Sequence, residues 1–189
     1  MTTSSPSQPQ DRIPEPAHPK DRPHPVADAA PARARRALFP AVSTVLILHP
    51  EQPDRFLLVR QAASGATVLP GGKAEWGESP RQTARREAAE ETGVEVEVLD
   101  LLVLNWLSEA AGKSLGGTAY PCFLSTFAGV LRPDQVGQLV VPDGELRDHL
   151  WLTYDQAAQP GRMEPLVLNH LRTALNARAD GRGAHYLES

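Results

Sequence analysis

The sequence predicts an α/β protein, more specifically an α/β/α sandwich in which a mixed β-sheet lies between helices. Three observations carry this prediction: short apolar segments separated by turn residues, a helix over residues 80–92 with signals at both ends, and an amphipathic stripe near the C-terminus. Strands interspersed with two helices bury their apolar faces as a sheet covered by helices.

The elements before the first helix are predicted to be strands. Residues 41–49 are apolar and rich in β-branched side chains, which predicts a first strand. A proline-containing turn follows, and residues 56–60 are predicted to form a second strand. The two strands and the turn together predict a hairpin. Residues 67–70 form a third short strand that leads to Gly71 and Gly72. Because glycine has no Cβ, this pair lets the backbone turn tightly and approach a ligand closely.

The helix predicted over residues 80–92 has clear signals for its start and its end. Ser79 suits the N-cap, Pro80 suits the first helical position, and Gln82 completes a capping box with Ser79. Gly93 suits the left-handed position that follows a helix. These signals bound the helix on both sides.

The rest of the chain is predicted to alternate strands and loops before a final helix. The strands cover residues 95–107, 118–131 and 149–153, and the loops cover residues 109–117 and 135–146. Apolar residues at the spacing of one helix face then predict an amphipathic helix over residues 163–178. The last residues, 179–189, are predicted to be frayed.

The chain has 189 residues, of which 41% are hydrophobic, and this is enough for one compact domain. We place that domain at residues 37–178. Residues 1–36 hold eight of the 18 prolines and almost no large apolar side chains. They cannot bury enough surface to offset the entropy lost when the backbone orders, so they are predicted to be a disordered tail.

Deletion of residues 1–36 is therefore expected to leave the fold and any activity of the protein intact. Thermal melts and activity assays of the truncated and full-length chains would measure this. Well-dispersed amide resonances from residues 1–36 in the full-length protein would contradict the prediction, because dispersion reports ordered structure.

Composition argues against several classes of protein. The formal net charge of −4 gives no reason to expect nucleic acid or an anionic membrane as a partner. No stretch of the sequence approaches the ~18–20 apolar residues that a membrane-spanning helix needs. The single cysteine, Cys122, excludes an intrachain disulfide and a cysteine-rich metal site, which fits a cytoplasmic protein.

Three glutamates crowd one face of the first helix near its C-terminal end. Glu87, Glu90 and Glu91 stand at positions i, i+3 and i+4, where the side chains of a helix are neighbours. Like charges at the negative end of the helix dipole cost on the order of 1–3 kcal/mol unless something neutralises them. Convergent carboxylates are ligands suited to Mg²⁺ or Mn²⁺ beside a phosphorylated substrate. The alternative is a solvated acidic face, which charge runs usually form.

The spacing around these glutamates matches a known pattern. Gly72 is followed by five residues and Glu78, then by seven residues and the run from Arg86 to Val94. This agrees with the Nudix box, GX5EX7REUXEEXGU with U aliphatic, at every specified position. The chain therefore resembles the Nudix hydrolase superfamily and, among its groups, the MutT-like one. The resemblance implies the same α/β/α sandwich with a mixed β-sheet.

The resemblance also implies which residues hold a metal ion. Glu87, Glu90 and Glu91 match the glutamates of the box that bind a divalent cation, Mg²⁺ or Mn²⁺. The backbone carbonyl at the position of Gly71 commonly joins them in the family.

Other catalytic roles follow from the same resemblance. Arg86 would pair with a carboxylate of the box and fix its orientation, and Glu78 would support the geometry of the loop and the helix. The family often places a further glutamate, here Glu145, in a later loop, where it ligates the metal or accepts a proton from water. If Glu145 is not the base, Glu87 or Glu90 is the next candidate.

Candidates for substrate contacts lie mostly outside the helix. Gly72 allows a close approach of the backbone, and both Lys73 and Arg60 are candidate phosphate contacts, with a plain surface lysine as the alternative for Lys73. Trp106 and Tyr120 are candidates for stacking on a base, and core packing in a strand is the alternative for each.

The implied activity is hydrolysis of a diphosphate linkage in a nucleoside diphosphate joined to another moiety. Markers of ADP-ribose and dinucleoside polyphosphate enzymes, a proline near Ser108 and a tyrosine near Ala110, are absent. A nucleoside triphosphate or a related nucleotide is therefore the expected substrate. Two other functions stay open: a non-catalytic nucleotide sensor or regulator with the Nudix fold, and a diphosphate isomerase, which would need a cysteine before the box. The oligomeric state is also open, with a homodimer as one outcome.

Overall fold

The computed structural model describes residues 39–114, 120–141 and 144–189 of the chain. The predicted tail, residues 1–36, lies outside the described residues. Within them the strands are β1 (Ala41–Ile47), β2 (Arg55–Gln61), β3 (Thr67–Val68), β4 (Gly71–Lys73), β5 (Glu97–Leu107), β6 (Cys122–Val130), β7 (Leu146–Thr153) and β8 (His185–Glu188). The helices are α1 (Pro80–Thr92), α2 (Glu109–Ser114), α3 (Pro133–Val136), α4 (Tyr154–Ala157) and α5 (Pro165–Asp180).

Two β-sheets form the centre of the fold. The larger sheet has the strand order β4-β1-β6-β5-β8, in which β1 runs parallel to β6 and antiparallel to β4. The smaller sheet is antiparallel and has the order β3-β2-β7. A mixed sheet that is packed against helices confirms the predicted α/β/α sandwich.

Strand β1 is buried on both faces and contributes to two hydrophobic cores. Leu46 packs in one core with Leu171 of α5. Its neighbours Val45 and Ile47 pack in the other core with Ala88 of α1. Successive side chains of a strand lie on opposite faces, so one strand supports both layers of helices. The second core holds α1 against β1, and it therefore positions the residues of the glutamate-rich helix.

A buried histidine links polar groups inside the fold. The Nε2 atom of His170 lies 2.6 Å from the hydroxyl of Thr126, which in turn lies 2.6 Å from the hydroxyl of Thr44. Burial lowers the pKa of His170 to about 4, so the imidazole is neutral at pH 7. These bonds satisfy buried polar atoms, and we assign His170 a structural role.

The predicted hairpin of the first two strands is wrong. β1 and β2 belong to different sheets, and the contact between them is an isolated bridge between Leu48 and Phe56. The reason is that β1 already pairs with β4 on one edge and with β6 on the other. β4 occupies one edge of β1 at Val42–Thr44, and β2 pairs instead with β3 and β7.

The loop predicted over residues 109–117 is wrong for its first part, which forms α2. Ser108 begins this helix, because its hydroxyl accepts a hydrogen bond from the backbone N–H of Ala111 and its carbonyl accepts one from Gly112. Residues 115–119 lie outside the described residues, so the start of the strand predicted over 118–131 is described only from Cys122.

The C-terminal residues 179–189 are not frayed, contrary to the prediction. Helix α5 ends at Gly181, whose φ of 60° is left-handed, and β8 then pairs in parallel with β5. Ser189 continues this pairing through its N–H to the carbonyl of Trp106. The edge of β5 would otherwise expose unpaired backbone groups, which explains why so short a strand is ordered. No helix in the described part of the chain is long and apolar enough to cross a membrane.

Candidate active site

The glutamate-rich helix α1 has the predicted bounds and the predicted caps. The hydroxyl of Ser79 accepts a hydrogen bond from the N–H of Gln82, and the side chain of Gln82 accepts one from the N–H of Ser79. Gly93 ends the helix with a φ of 73° and donates its N–H to the carbonyl of Ala89. The helix is thus fixed at both ends, and its side chains have defined positions.

Both glycines that precede α1 occupy positions where a side chain would collide. Gly71 has a φ of 148°, and a Cβ there would lie 2.2 Å from the carbonyl oxygen of Ser43. A Cβ on Gly72 would lie 2.4 Å from the Cδ of Glu87. Strand β4 therefore runs close to both β1 and α1, and this closeness requires glycine.

Arg86 connects the carboxylates around the helix. Its Nε and Nη2 atoms donate to the two carboxylate oxygens of Glu78 at 2.7 and 3.1 Å. Its Nη1 lies 2.9 Å from an oxygen of Glu87 and 2.9 Å from one of Glu90, and its Nη2 also donates to the carbonyl of Lys73. One guanidinium thus ties the glycine loop to three glutamates, and a bidentate pair of this kind also fixes orientation.

Glu78 is held in its charged form. The hydrogen bonds from Arg86, followed by those from the N–H of Glu75 and the hydroxyl of Thr83, lower the pKa of Glu78 to about 2 although burial acts in the opposite direction. A carboxylate that accepts this many bonds is fixed in position. Glu78 therefore braces Arg86 and the loop.

The pKa values of Glu87 and Glu91 are shifted in the opposite direction. Burial raises the pKa of Glu87, and the charges of Glu90 and Glu145 add to that effect against the influence of Arg86. Burial also raises the pKa of Glu91 to about 8, even though the N–H of Gly71 donates to its carboxylate at 2.8 Å. Without a cation, the neutral form of both carboxyls is therefore favoured more than in an ordinary glutamate.

The stability of the metal-free protein is expected to change with pH in two separate windows. Glu78 has a pKa of about 2 against an ordinary value of 4.5, so its contribution is present above about pH 4.5 and is lost as the pH falls toward 2. Glu91 has a pKa of about 8 against the same ordinary value. The contribution of Glu91 to stability is therefore fully present below about pH 4.5 and is lost as the pH rises toward 8.

Thermal melts in EDTA across this pH range would measure both windows. Glu91→Gln should flatten the upper window and leave the lower window in place, because a glutamine does not titrate. An upper window of the same depth in the wild type and in Glu91→Gln would contradict the assignment.

The donors near the C-terminal half of α1 fit a divalent cation. Carboxylates of Glu87 and Glu91 and the carbonyl of Gly71 are hard oxygen ligands, and a bound cation would favour the charged form of both carboxyls. Within residues 39–114, 120–141 and 144–189, however, no set of three His, Cys, Asp or Glu side chains is gathered tightly enough to hold one. The carboxylate of Glu90 is more exposed than that of Glu87, 58% against 17%, and lies beside Arg86.

Glu145 lies near these carboxylates, since its charge raises the pKa values of both Glu87 and Glu91. Its carbonyl accepts a hydrogen bond from the N–H of Ala62, and its side chain is exposed. Of the two neighbouring acids in the sequence, Asp148 lies 3.5 Å from Arg60, and Asp143 is outside the described residues.

A cleft of about 570 Å³ opens beside the glycine loop. Gly71, Gly72 and Lys73 line one part of it. Apolar side chains line another part: Val42, Leu107, Cys122, Leu124, Met163 and Val167. The cleft can therefore hold a ligand whose phosphates lie at the loop and whose less polar part lies against these side chains.

The predicted substrate contacts do not all lie at this cleft. Gly72 and Lys73 line it, whereas Arg60, Trp106 and Tyr120 are not among its described lining residues. Trp106 packs instead against Phe39 and Phe123, with ring centroids 4.6 and 4.8 Å away. Tyr120 is 68% exposed, so core packing does not describe it either.

Three more residues lie near the site: His149, which the sequence predicts to be a structural or surface residue, and Arg147 and Arg162, for which the sequence predicts no role. His149 places its Nε2 atom 2.7 Å from the carbonyl of Glu91, at the end of α1. Arg147 and Arg162 line a second pocket together with Arg60. Neither arginine lies in a recognisable motif, so their position depends on the tertiary fold alone.

The mixed-sheet sandwich, with a glycine loop packed on an arginine-braced acidic helix, defines the general class of this protein. The NUDIX domain family model matches residues 38–172. The chain therefore belongs to the Nudix family, and the resemblance seen in the sequence is confirmed.

Individual relatives agree with this assignment. A MutT-like protein from Streptomyces ambofaciens is 36% identical over 95 residues, which is 46% of this chain and 61% of that protein. The match thus spans about three fifths of that relative's length.

Solved structures share the fold at low sequence identity. A UDP-X diphosphatase has a TM-score of 0.60 and 20% identity, with coverage of 80% of this chain and 68% of that chain. An ADP-ribose pyrophosphatase from Streptococcus suis has a TM-score of 0.58 and 18% identity, with coverage of 80% and 100%. A MutT protein from Bacillus halodurans has a TM-score of 0.52 and 24% identity, with coverage of 71% and 80%.

Proposed function

We propose that this Nudix protein is a cation-dependent pyrophosphohydrolase that cleaves the diphosphate linkage of a nucleoside triphosphate or a related nucleotide conjugate. The observation that carries the proposal is the glycine loop packed on the acidic helix: the N–H of Gly71 donates to Glu91 at 2.8 Å, Gly72 lies against the carboxylate of Glu87, and both glycines line the cleft. The names of three relatives, a diphosphatase, a pyrophosphatase and a MutT-like protein, support the same chemistry.

Cation binding is assigned to Glu87, Glu90 and Glu91 with the carbonyl of Gly71, and Mg²⁺ is the expected ion with Mn²⁺ as the alternative. Such an ion acts as a Lewis acid on the phosphoryl oxygens and acidifies water. In the structure Glu87 and Glu90 each lie 2.9 Å from Nη1 of Arg86, so the role of either carboxylate as a ligand competes with its pair to Arg86.

The remaining steps use groups of the chain itself. Arg86 holds Glu78, Glu87 and the loop carbonyl of Lys73 in one arrangement, which keeps the glycine loop beside α1. The exposed side chain of Glu145 is assigned the proton of the attacking water, since a base needs only hydrogen-bond reach in the substrate complex. Lys73 lies at the lip of the cleft, where an ammonium group can neutralise a phosphate.

The substrate is proposed to be a small nucleotide in the cytoplasm, with neither nucleic acid nor membrane as a partner. Its phosphates would lie at Gly71–Lys73 and its other part against the apolar side of the cleft. None of the described residues that line the cleft is aromatic, so recognition there is expected to use aliphatic contacts rather than stacking.

A substrate panel with Mg²⁺ and with Mn²⁺ tests the proposal. It should include nucleoside triphosphates and their oxidised forms, ADP-ribose, nucleotide sugars, dinucleoside polyphosphates and coenzyme A. Release of a nucleoside monophosphate from at least one of them would support a pyrophosphohydrolase. Tight binding of a nucleotide without any turnover would favour a sensor, and rearrangement without hydrolysis would favour an isomerase.

A further inference from the structure

A second pocket adjoins the cleft, and three arginines line it. It has a volume of about 340 Å³ and shares residues with the cleft, among them Thr67 and Gly161. Its arginines are Arg60 from β2, Arg147 from β7 and Arg162 from the segment between α4 and α5. We call it the arginine pocket. None of the described residues that line it is an aspartate or a glutamate.

The arginine pocket depends on an irregularity in the pairing of β2 and β7. Arg60 pairs with Asp148, but the next residue, Gln61, pairs with Leu146, so Arg147 is an extra residue that forms a bulge. In a regular strand Arg147 would lie on the face opposite to Asp148, and therefore opposite to Arg60. The bulge breaks this alternation, and both arginines line one pocket. Bulges often redirect side chains in this way near active sites.

The positive charge of the arginine pocket is only partly balanced. Asp148 lies 3.5 Å from Arg60, and Arg147 donates a hydrogen bond of 2.9 Å to the carbonyl of Ala62. No described residue forms a hydrogen bond or an ion pair with the guanidinium of Arg162. Of the three guanidinium groups that line the arginine pocket, only that of Arg60 has a carboxylate partner, Asp148, while Glu164 lines the adjoining cleft together with Arg162. A concentration of like charge in an acidic protein indicates an anionic ligand.

We propose that the arginine pocket binds a phosphate monoester carried by the substrate, distinct from the diphosphate linkage that is cleaved. Guanidinium groups bind phosphate through paired N–H donors, which suits a terminal phosphate with three oxygens. The inference rests on the proposed hydrolase function, because it assigns the phosphate group to the substrate of that hydrolase. The arginine pocket and the cleft share Thr67, so one ligand can enter both.

The distance between the two sites suits one ligand. Thr67 lines the arginine pocket, and Gly72 lies at the loop beside α1. Four residues lie between them, so five steps of the chain join their Cα atoms, which are at most about 18 Å apart. An extended nucleotide conjugate can span this distance. The substrate class is therefore a nucleoside diphosphate conjugate that bears an additional phosphate group.

Matched substrate pairs test the substrate class. Coenzyme A with dephospho-coenzyme A, and ADP-ribose 2′-phosphate with ADP-ribose, differ by one phosphate monoester. The wild type is expected to prefer the phosphorylated member of at least one pair by about tenfold or more in kcat/KM, chiefly through KM. Arg147→Gln and Arg162→Gln should each reduce that preference toward one. Arg132→Gln, an exposed arginine outside the arginine pocket, is the matched control and should keep it.

A second measurement examines the arginine pocket without catalysis or metal. Inorganic phosphate in EDTA, at an ionic strength matched with sodium chloride, should raise the melting temperature of the wild type and of Arg132→Gln. The rise should be lost in Arg162→Gln, which removes no described hydrogen bond, and in Arg147→Gln. Reading the shift against each variant's own phosphate-free melt separates binding from any loss of stability.

The results of these experiments distinguish a failure of the phosphate site from a failure of the proposed function. Equal shifts in all four proteins, or no preference within any hydrolysed pair, would overturn the phosphate site. If no member of any pair is hydrolysed with Mg²⁺ or Mn²⁺, these conjugates are not substrates, and the phosphate-dependent shift alone decides whether the arginine pocket binds phosphate. Absence of turnover across the whole substrate panel would overturn the proposed function instead.

Discussion

Glu91→Gln is expected to lower the turnover of the protein by at least about 10³-fold, since loss of the cation ligand proposed at this position would remove several kcal/mol of transition-state stabilisation. The same substitution is expected to raise the melting temperature in EDTA at pH 8. The reason is that Glu91 is buried, its pKa is raised to about 8, and the charges of Glu87 and Glu145 repel it. A neutral glutamine keeps the shape of the side chain and removes the repulsion.

Activity assays with saturating Mg²⁺ and thermal melts in EDTA measure the two effects on the same samples. Glu95→Gln is a suitable control. Glu95 lies beyond the end of α1 and forms an exposed pair with Arg85, so its substitution should change neither turnover nor melting temperature much. Turnover of Glu91→Gln near that of the wild type would show that Glu91 is not a ligand. A melt in EDTA many degrees below that of the wild type would show that its carboxylate stabilises the fold.

The bounds of α1 could be predicted from the sequence because its signals are local. The capping box of Ser79 and Gln82 and the left-handed Gly93 act within a few residues of the helix ends. The spacing of Gly72, Glu78 and the helix then identified the family without any knowledge of the sheets.

Strand pairing was harder to predict, because it depends on contacts between distant parts of the chain. The separation of β1 from β2 follows from the pairing of β1 with β6, which lies about 80 residues further along the chain. The four-residue strand β8 is too short to show an alternating pattern, and the free edge of β5 is what orders it.

The residues that line the cleft were predicted least well, for a similar reason. Trp106 and Tyr120 are aromatic, but their neighbours in the fold decide whether they lie at the cleft, and neither is among its described lining residues. The grouping of Arg147 and Arg162 depends on a bulge and on a loop between helices. The different pKa values of Glu78 and Glu91 likewise depend on burial, since both residues are ordinary glutamates in the sequence.

Glu145→Gln is expected to reduce turnover by at least about a hundredfold with little change in stability, since loss of a general base costs ~10²–10⁴-fold in rate. The side chain is exposed, while the carbonyl of Glu145 is held by the N–H of Ala62. This combination fixes the backbone near Glu87 and Glu91 and leaves the carboxylate free to move toward a bound substrate. Water that is already acidified by a cation needs only an ordinary carboxylate as its base.

A control variant and the separate effects on kcat and KM test this prediction. Glu51→Gln replaces another exposed glutamate, in the turn between β1 and β2, and should leave turnover unchanged. If Glu145 is the base, its substitution should lower kcat far more than it changes KM, because a proton acceptor acts in the chemical step rather than in binding. An effect below about threefold at Glu145 would instead assign the proton to the helix, with Glu87 or Glu90 as the acceptor.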